Sequence, residues 1–266
     1  MTLARWATAL LLAAGADAPT TPPPPPAPPS VVAAPAPPPP PTLGKDPKAL
    51  ALVKKMSDRL AQARSFTLRA RVSLELPVAG GALATFYNEA TATVQRPDKL
   101  AAVRTGDLPE LRFAYDGKSM TVFAPGSGQV GTIAAPPTLD AMLPAAFEQG
   151  ELSFPFDEVL VADPYAAITT GLVQATLVGT STMGGKKTDH VLLAGPGLEL
   201  QLWLDAATSL PVRVALVYAD QPHRPHFSVD YSEWKLDAKL PADAFALPMP
   251  KGATKVEFRV AAAAFR

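Results

Sequence analysis

The chain has 266 residues, with 24 acidic and 24 basic side chains, so its formal net charge is zero, and it has no cysteine. Without a basic surplus there is no electrostatic footprint for nucleic acid and no strong attraction to an anionic membrane surface. The missing cysteines exclude disulfides, thiolate nucleophiles and thiolate metal sites, and they suit an oxidising compartment.

The first residues read MTLARWATALLLAAGADAP. One arginine precedes an apolar run from Trp6 to Ala14, and Ala16-Asp17-Ala18 gives the small-x-small pattern of a cleavage site. This is the layout of a secretory signal peptide over residues 1–18, cut after Ala18 and implying export to the periplasm. The run is too short for a transmembrane helix, which needs about 20 residues. No cysteine follows it to carry a lipid anchor, so membrane contact is expected only transiently or through an uncleaved signal. Residues 19–44 are mostly Pro, Ala and Thr, a composition that favours polyproline II and a semi-rigid linker reaching roughly 80 Å. It reads either as a stalk or as a plain tail after the cleavage site. The remainder, 45–258, has the length of one domain, with 259–266 as a C-terminal tail.

Asp46-Pro47 opens a helix, with Asp as N-cap and Pro at the first helical position. Leu50, Val53, Met56 and Leu60 then recur at helical spacing. The stretch SFTLRARVSLEL (65–76) alternates without a slip, with Phe66, Leu68, Ala70, Val72, Leu74 and Leu76 on one side. It is a strand with one dry face, about 36 Å long. PVAGG turns the chain, and 82–95 returns as a second long strand with Ala84, Phe86, Ala90, Ala92 and Val94 on one side. Shorter strands are expected at 99–105, 111–115, 119–124 and 129–134, with Asp116-Gly117 as a hairpin turn.

Residues 138–170 differ in kind. Short helical patterns, punctuated by Pro144, Pro155 and Pro164, carry Met142, Phe147, Phe154, Phe156 and Leu160. Helices this short need an apolar surface to lie on. From 172 the strand pattern returns through LELQLWLD and PVRVALVYAD. In the last strand Phe227, Val229 and Tyr231 are in phase before Trp234 and Leu236 switch, which predicts a bulge. The fold class is therefore α+β and mainly β: an antiparallel curved sheet, a half-barrel of about 11 strands, covered by short helices.

No motif carries chemistry. Ser232-x-x-Lys235 spells a serine acyltransferase motif but lies in an alternating strand, where i and i+3 point to opposite faces. His223-x-x-His226 sits in a polar loop and would need further ligands to hold a metal. Gly195-Pro196-Gly197 is a turn with no helix start after it. The reading is of a non-enzymatic protein, with no cofactor and no metal.

Two stretches carry a resemblance. YDGKSMTVFAPGSGQVGTI (Tyr115–Ile133) and LPADAFALPMPKGATKVEF (Leu240–Phe258) resemble segments of the periplasmic lipoprotein-carrier (LolA-like) superfamily. MSDRLAQARSFTLRA, VQRPDKL, FAYDGKSMTVF, DPYAAI and KGATKVEF fall in the order seen in domain-of-unknown-function family 2092 of periplasmic proteins, and the resemblance spans about 48–258. It implies an antiparallel half-barrel closed by a helical lid, with acyl chains held between sheet and lid. The carriers lack this long Pro-rich spacer. Their lid-locking arginine has no match by motif, since Arg69 and Arg71 lie on the wet face of their strand. The superfamily also includes sensors that bind other envelope proteins.

Alternation and composition select the candidate ligand contacts: Leu68, Val72, Leu74, Phe86 and Phe113 on the sheet, with Met142, Phe147, Phe154, Phe156 and Leu160 on the lid. The expected partner is a lipid, a lipoprotein acyl chain or another apolar ligand. The alternative is an envelope protein-interaction or sensor module whose core is filled.

Overall fold

A computed structural model describes residues 44–263; the signal and nearly all of the Pro-rich segment lie outside the described residues. Helix α1 (Pro47–Gln62) begins where the Asp46 side chain accepts the Lys48 amide at 2.8 Å. Its buried stripe is Ala49, Val53, Met56 and Leu60. Strands β1 (Ser65–Pro77) and β2 (Leu83–Gln95) then pair in unbroken register from Ser65↔Gln95 to Pro77↔Leu83. The meander continues through β3 (Lys99–Gly106), β4 (Leu111–Tyr115), β5 (Ser119–Ala124) and β6 (Gln129–Ala134).

The chain next crosses through α2 (Leu139–Gly150), a single 3-10 turn (Asp157–Val159) and α3 (Pro164–Thr169). A second meander follows: β7 (Gln174–Met183), β8 (Lys186–Gly195), β9 (Leu198–Asp205), β10 (Pro211–Tyr218) and β11 (His226–Leu236). The two meanders join because β11 pairs antiparallel with β1. The result is one curved, unclosed sheet in the order β12-β6-β5-β4-β3-β2-β1-β11-β10-β9-β8-β7. The strand beyond the expected eleven is β12 (Thr254–Lys255), a two-residue parallel pairing on β6.

Strand β1 is thus the seam of the sheet rather than its edge. Its even-numbered side chains face inward with those of β2, and Phe66, Ala70, Val72 and Val94 are buried there. The bulge falls where the phase switch places it. Arg69 pairs with Glu233 while Ala70 pairs with Tyr231, which leaves Ser232 as the extra residue. Without that extra residue Trp234 and Leu236 would point to the outer face.

One boundary is corrected. Residues 259–263 are not a tail but continue helix α4 (Phe258–Ala263), which buries Phe258, Ala261 and Ala262. Six residues hold no helix alone, so α4 depends on its seat against β5, β6 and α2. Gly131 makes that seat: a Cβ there would stand 2.5 Å from the Phe258 Cα. Gly150 does the same from α2, where a Cβ would meet the Phe258 ring at 2.7 Å.

Candidate functional site

The four helices and residues 151–163 lie on the inner face, and their apolar side chains merge with those of the sheet into one core. Of the ten candidate contacts, the structure brings Val72, Phe113, Met142, Phe154, Phe156 and Leu160 together in that buried cluster. Leu68 and Leu74 are half-buried and pack against it. Phe86 and Phe147 are also half-buried, and the structure does not bring them into the cluster. The closest aromatic contact between sheet and lid is Phe113 on Phe154, edge to face with ring centroids 4.9 Å apart.

The side chains beneath the lid are packed. Two open hollows, of about 510 and 580 Å³, lie instead on the outer face. One runs between β4–β6 and the loop at Phe245–Met249; the other is polar and includes Arg69, Arg71 and Glu89.

Segment 151–163 has little secondary structure of its own, and two side chains clasp it. Arg96, one residue beyond β2, donates to the carbonyls of Leu160 (2.6 Å), Val161 (2.8 Å) and Val159 (3.0 Å). Its guanidinium also lies over the Phe66 ring, 5.7 Å from the centroid. Burial pushes the Arg96 pKa down from its ordinary value, and the charge of Asp140 opposes this. Asp140, in the first turn of α2, accepts the Ala162 amide at 3.1 and 3.2 Å. Arg96 therefore ties the end of β2 to the segment over the inner face. It was missed because VQRPDKL reads locally as a turn, and nothing in the sequence says which carbonyls the turn faces.

Just ahead of the clasped residues the segment is strained. Phe156 is 1% exposed and adopts the left-handed conformation, φ 51° and ψ 58°. A buried aromatic side chain in that region is an outlier of the kind that clusters at sites that switch, and it costs of order 1–3 kcal/mol.

The next turn carries a charged residue inward. Glu158 is 1% exposed, and its Oε1 has no hydrogen-bond partner. Burial, then the neighbouring Asp157, push its carboxyl up to about 8. Glu158 in turn raises the pKa of Tyr231 on β11 and Tyr218 on β10, both already raised by burial. The Tyr231 hydroxyl is likewise buried without a partner. Alternation put Tyr231 in phase with Phe227 and Val229, but Glu158 within FDEVLVA gave no sign that it points inward.

Ser232 donates to the Arg69 carbonyl at 3.2 Å, and Lys235 is exposed and pairs across the sheet with Thr67. His223 is exposed in the β10–β11 loop, and His226 is exposed at the first position of β11. Among the described residues no group of three or more His, Cys, Asp or Glu is placed to hold a metal, and no helix is long and apolar enough to cross a membrane.

An open antiparallel sheet with an apolar inner face under a clasped helical lid is the class of structure this chain forms. The chain belongs to the family described as predicted periplasmic protein, DUF2092, whose model matches residues 49–259. No curated protein matches it. Similar solved structures include the lipoprotein LppX of Mycobacterium tuberculosis, at 15% identity and TM-score 0.48, covering 75% of this chain and 100% of that one. A LolA superfamily protein from Nitrosomonas europaea is similar at 14% identity and TM-score 0.34, with 75% and 97% covered. The MucA/MucB complex of Pseudomonas aeruginosa matches at 12% identity and TM-score 0.43; 76% of this chain spans 61% of that one.

Removing the Arg96 clasp is expected to loosen the lid. Hydrogen bonds to a charged donor contribute about 1.5–3 kcal/mol. In Arg96→Met, amides of 152–163 should exchange hydrogen at least about tenfold faster than in the parent, with strand β1 still protected. Arg96→Lys should recover little, because a lysine ammonium lacks the planar fork that reaches several carbonyls. Unchanged exchange in the Met variant would show that packing alone holds the segment.

Glu158 sets a pH dependence. An unfolded glutamate titrates near 4.5, whereas the folded chain keeps the proton up to about 8. In that window the native state binds more protons, so stability falls as pH rises through it. Thermal unfolding should show a midpoint that declines from pH 5 to pH 8, and Glu158→Gln should remove that part of the slope. An identical slope in the variant would contradict the buried protonated carboxyl.

Proposed function

We propose that this protein is a non-enzymatic periplasmic binding protein that takes an apolar ligand, such as a lipid or a lipoprotein acyl chain, between the inner face of the sheet and segment 151–163. One observation carries the reading. The segment that covers the apolar face is tied down by the Arg96 side chain at three consecutive carbonyls, not by regular backbone pairing. A cover held in this way can leave without unfolding the sheet. The strained Phe156 would gain backbone freedom on leaving, and a ligand would replace the apolar contacts its ring gives up.

Binding would be driven by burial, at roughly 25 cal/mol per Å² of apolar surface before the costs of association. The contacts we assign are Leu68, Val72, Leu74 and Phe113 on the sheet and Met142, Phe154, Phe156 and Leu160 on the lid, with Phe86 and Phe147 at the rim. The family's periplasmic description fits export by the N-terminal signal, with cleavage after Ala18 part of the same proposal.

The packed space beneath the lid favours a second reading, a filled core whose surface engages an envelope protein. The two readings separate with Phe156→Asp. A carboxylate at a position 1% exposed is incompatible with the closed lid. If the space takes ligand, the variant should lose uptake of the hydrocarbon dye diphenylhexatriene while its far-ultraviolet circular dichroism still reports the sheet. Undiminished dye uptake by the folded variant, or no uptake by the parent, would favour the filled core.

A further inference from the structure

The reading of an apolar ligand under the lid leaves two polar groups without a role. Glu158 comes down from the 3-10 turn and Tyr231 comes up from β11. Both are buried, at 1% and 6% exposure, and the Glu158 Oε1 and Tyr231 hydroxyl have no partner. The turn that carries Glu158 is held by Arg96, whose guanidinium lies over the Phe66 ring, and the Phe66, Trp234 and Tyr231 rings follow one another with centroids 5.8 and 4.9 Å apart. Two unpaired polar atoms in such a place are a standing cost to the closed state, and apolar side chains of similar shape would avoid it.

We propose that Glu158 and Tyr231 form the polar end of the space under the lid, a recognition point for an uncharged amphiphile bearing a hydroxyl or an amide N–H. This rests on the reading that ligand enters between lid and sheet, and it names the class of ligand. A ligand hydroxyl can both donate to Glu158 Oε1 and accept from the Tyr231 hydroxyl, which makes it the uncharged head that suits the two groups.

The surroundings choose among headgroups. An anionic head would meet Glu158 beside Asp157, whose charge already opposes ionisation of its neighbour. The guanidinium of Arg96 is committed to the carbonyls of residues 159–161. A cationic head would need Glu158 to ionise in an apolar layer, which burial resists. A head with no donor would leave Oε1 as it is.

The test compares ligands that differ only at that end. With the full-length chain, 1-dodecanol, dodecyl methyl ether and dodecanoate each displace bound diphenylhexatriene. Dodecanol is expected to do so at about tenfold lower concentration than the ether, a ratio typical of one donor hydrogen bond to a buried acceptor, with dodecanoate weakest. Glu158→Met, which removes the acceptor, should bring dodecanol to within about twofold of the ether. Tyr231→Phe removes only a hydroxyl from which the alcohol and the ether both accept, so it should weaken both by about the same factor and leave their ratio in place; if Glu158→Met fails to fold, this variant decides alone. Equal displacement by dodecanol and ether overturns this inference while leaving the under-lid site standing. So does a ratio that persists in folded Glu158→Met, or displacement by both ligands that is unchanged in Tyr231→Phe when only the melting temperature has moved, for then the pair is structural. A parent that takes up no dye at all overturns the under-lid site and this inference with it.

Discussion

The crossover between β6 and β7 is the constraint on which the rest of this molecule depends. In the sheet order these strands are ten positions apart, β6 next to one edge and β7 at the other. At about 4.8 Å per strand the connection must travel roughly 48 Å as measured along the sheet. It travels over the inner face, and in doing so it covers the dry side of β1 and its neighbours. The sheet does not close on itself, so that face cannot be buried by strands alone. One connection therefore both completes the topology and acts as the cover.

A cover built this way has no ladder of its own. Its helices are short, and α2 carries Pro144 inside it. What holds it is side-chain packing, the Arg96 and Asp140 clasps, and the seat of α4 on Gly131. Against these stand the left-handed Phe156 and the unpaired Glu158 and Tyr231. Stabilising contacts at the margins with strain and unsatisfied polarity at the centre describe an element poised near the low-stability end of the structure. Beneath it the space is packed in the closed state, so the account makes ligand entry a matter of lid displacement rather than of a standing cavity.

Much of the sheet was legible because one face is dry and the strand period of two has no near competitor. The unbroken alternation of SFTLRARVSLEL marks β1, and the phase switch after Tyr231 marks the bulge at Ser232. The strands of 111–115, 119–124 and 129–134 end at the Asp116-Gly117 and Gly126-Ser127-Gly128 turns. Helix α4 was missed because its stability is tertiary: AAAA after a strand gives neither a cap nor a stripe. Composition picked out six side chains that the structure buries in the inner core, yet it could not separate the buried Phe156 from the half-buried Phe147 in the same segment. The polar members were hidden for a deeper reason. Arg96 and Glu158 look like ordinary surface charges, and only the crossover that folds residues 151–163 over the sheet turns them inward.

The central claim is that this inner face covers a ligand. Native mass spectrometry of the chain purified from the periplasm without detergent, followed by solvent extraction, tests it most directly. The account predicts a bound mass that extracts as an uncharged amphiphile, or its uptake when lipid is added. A bare chain that also rejects added lipid would mean that the dry face of β1 covers nothing but the protein's own core.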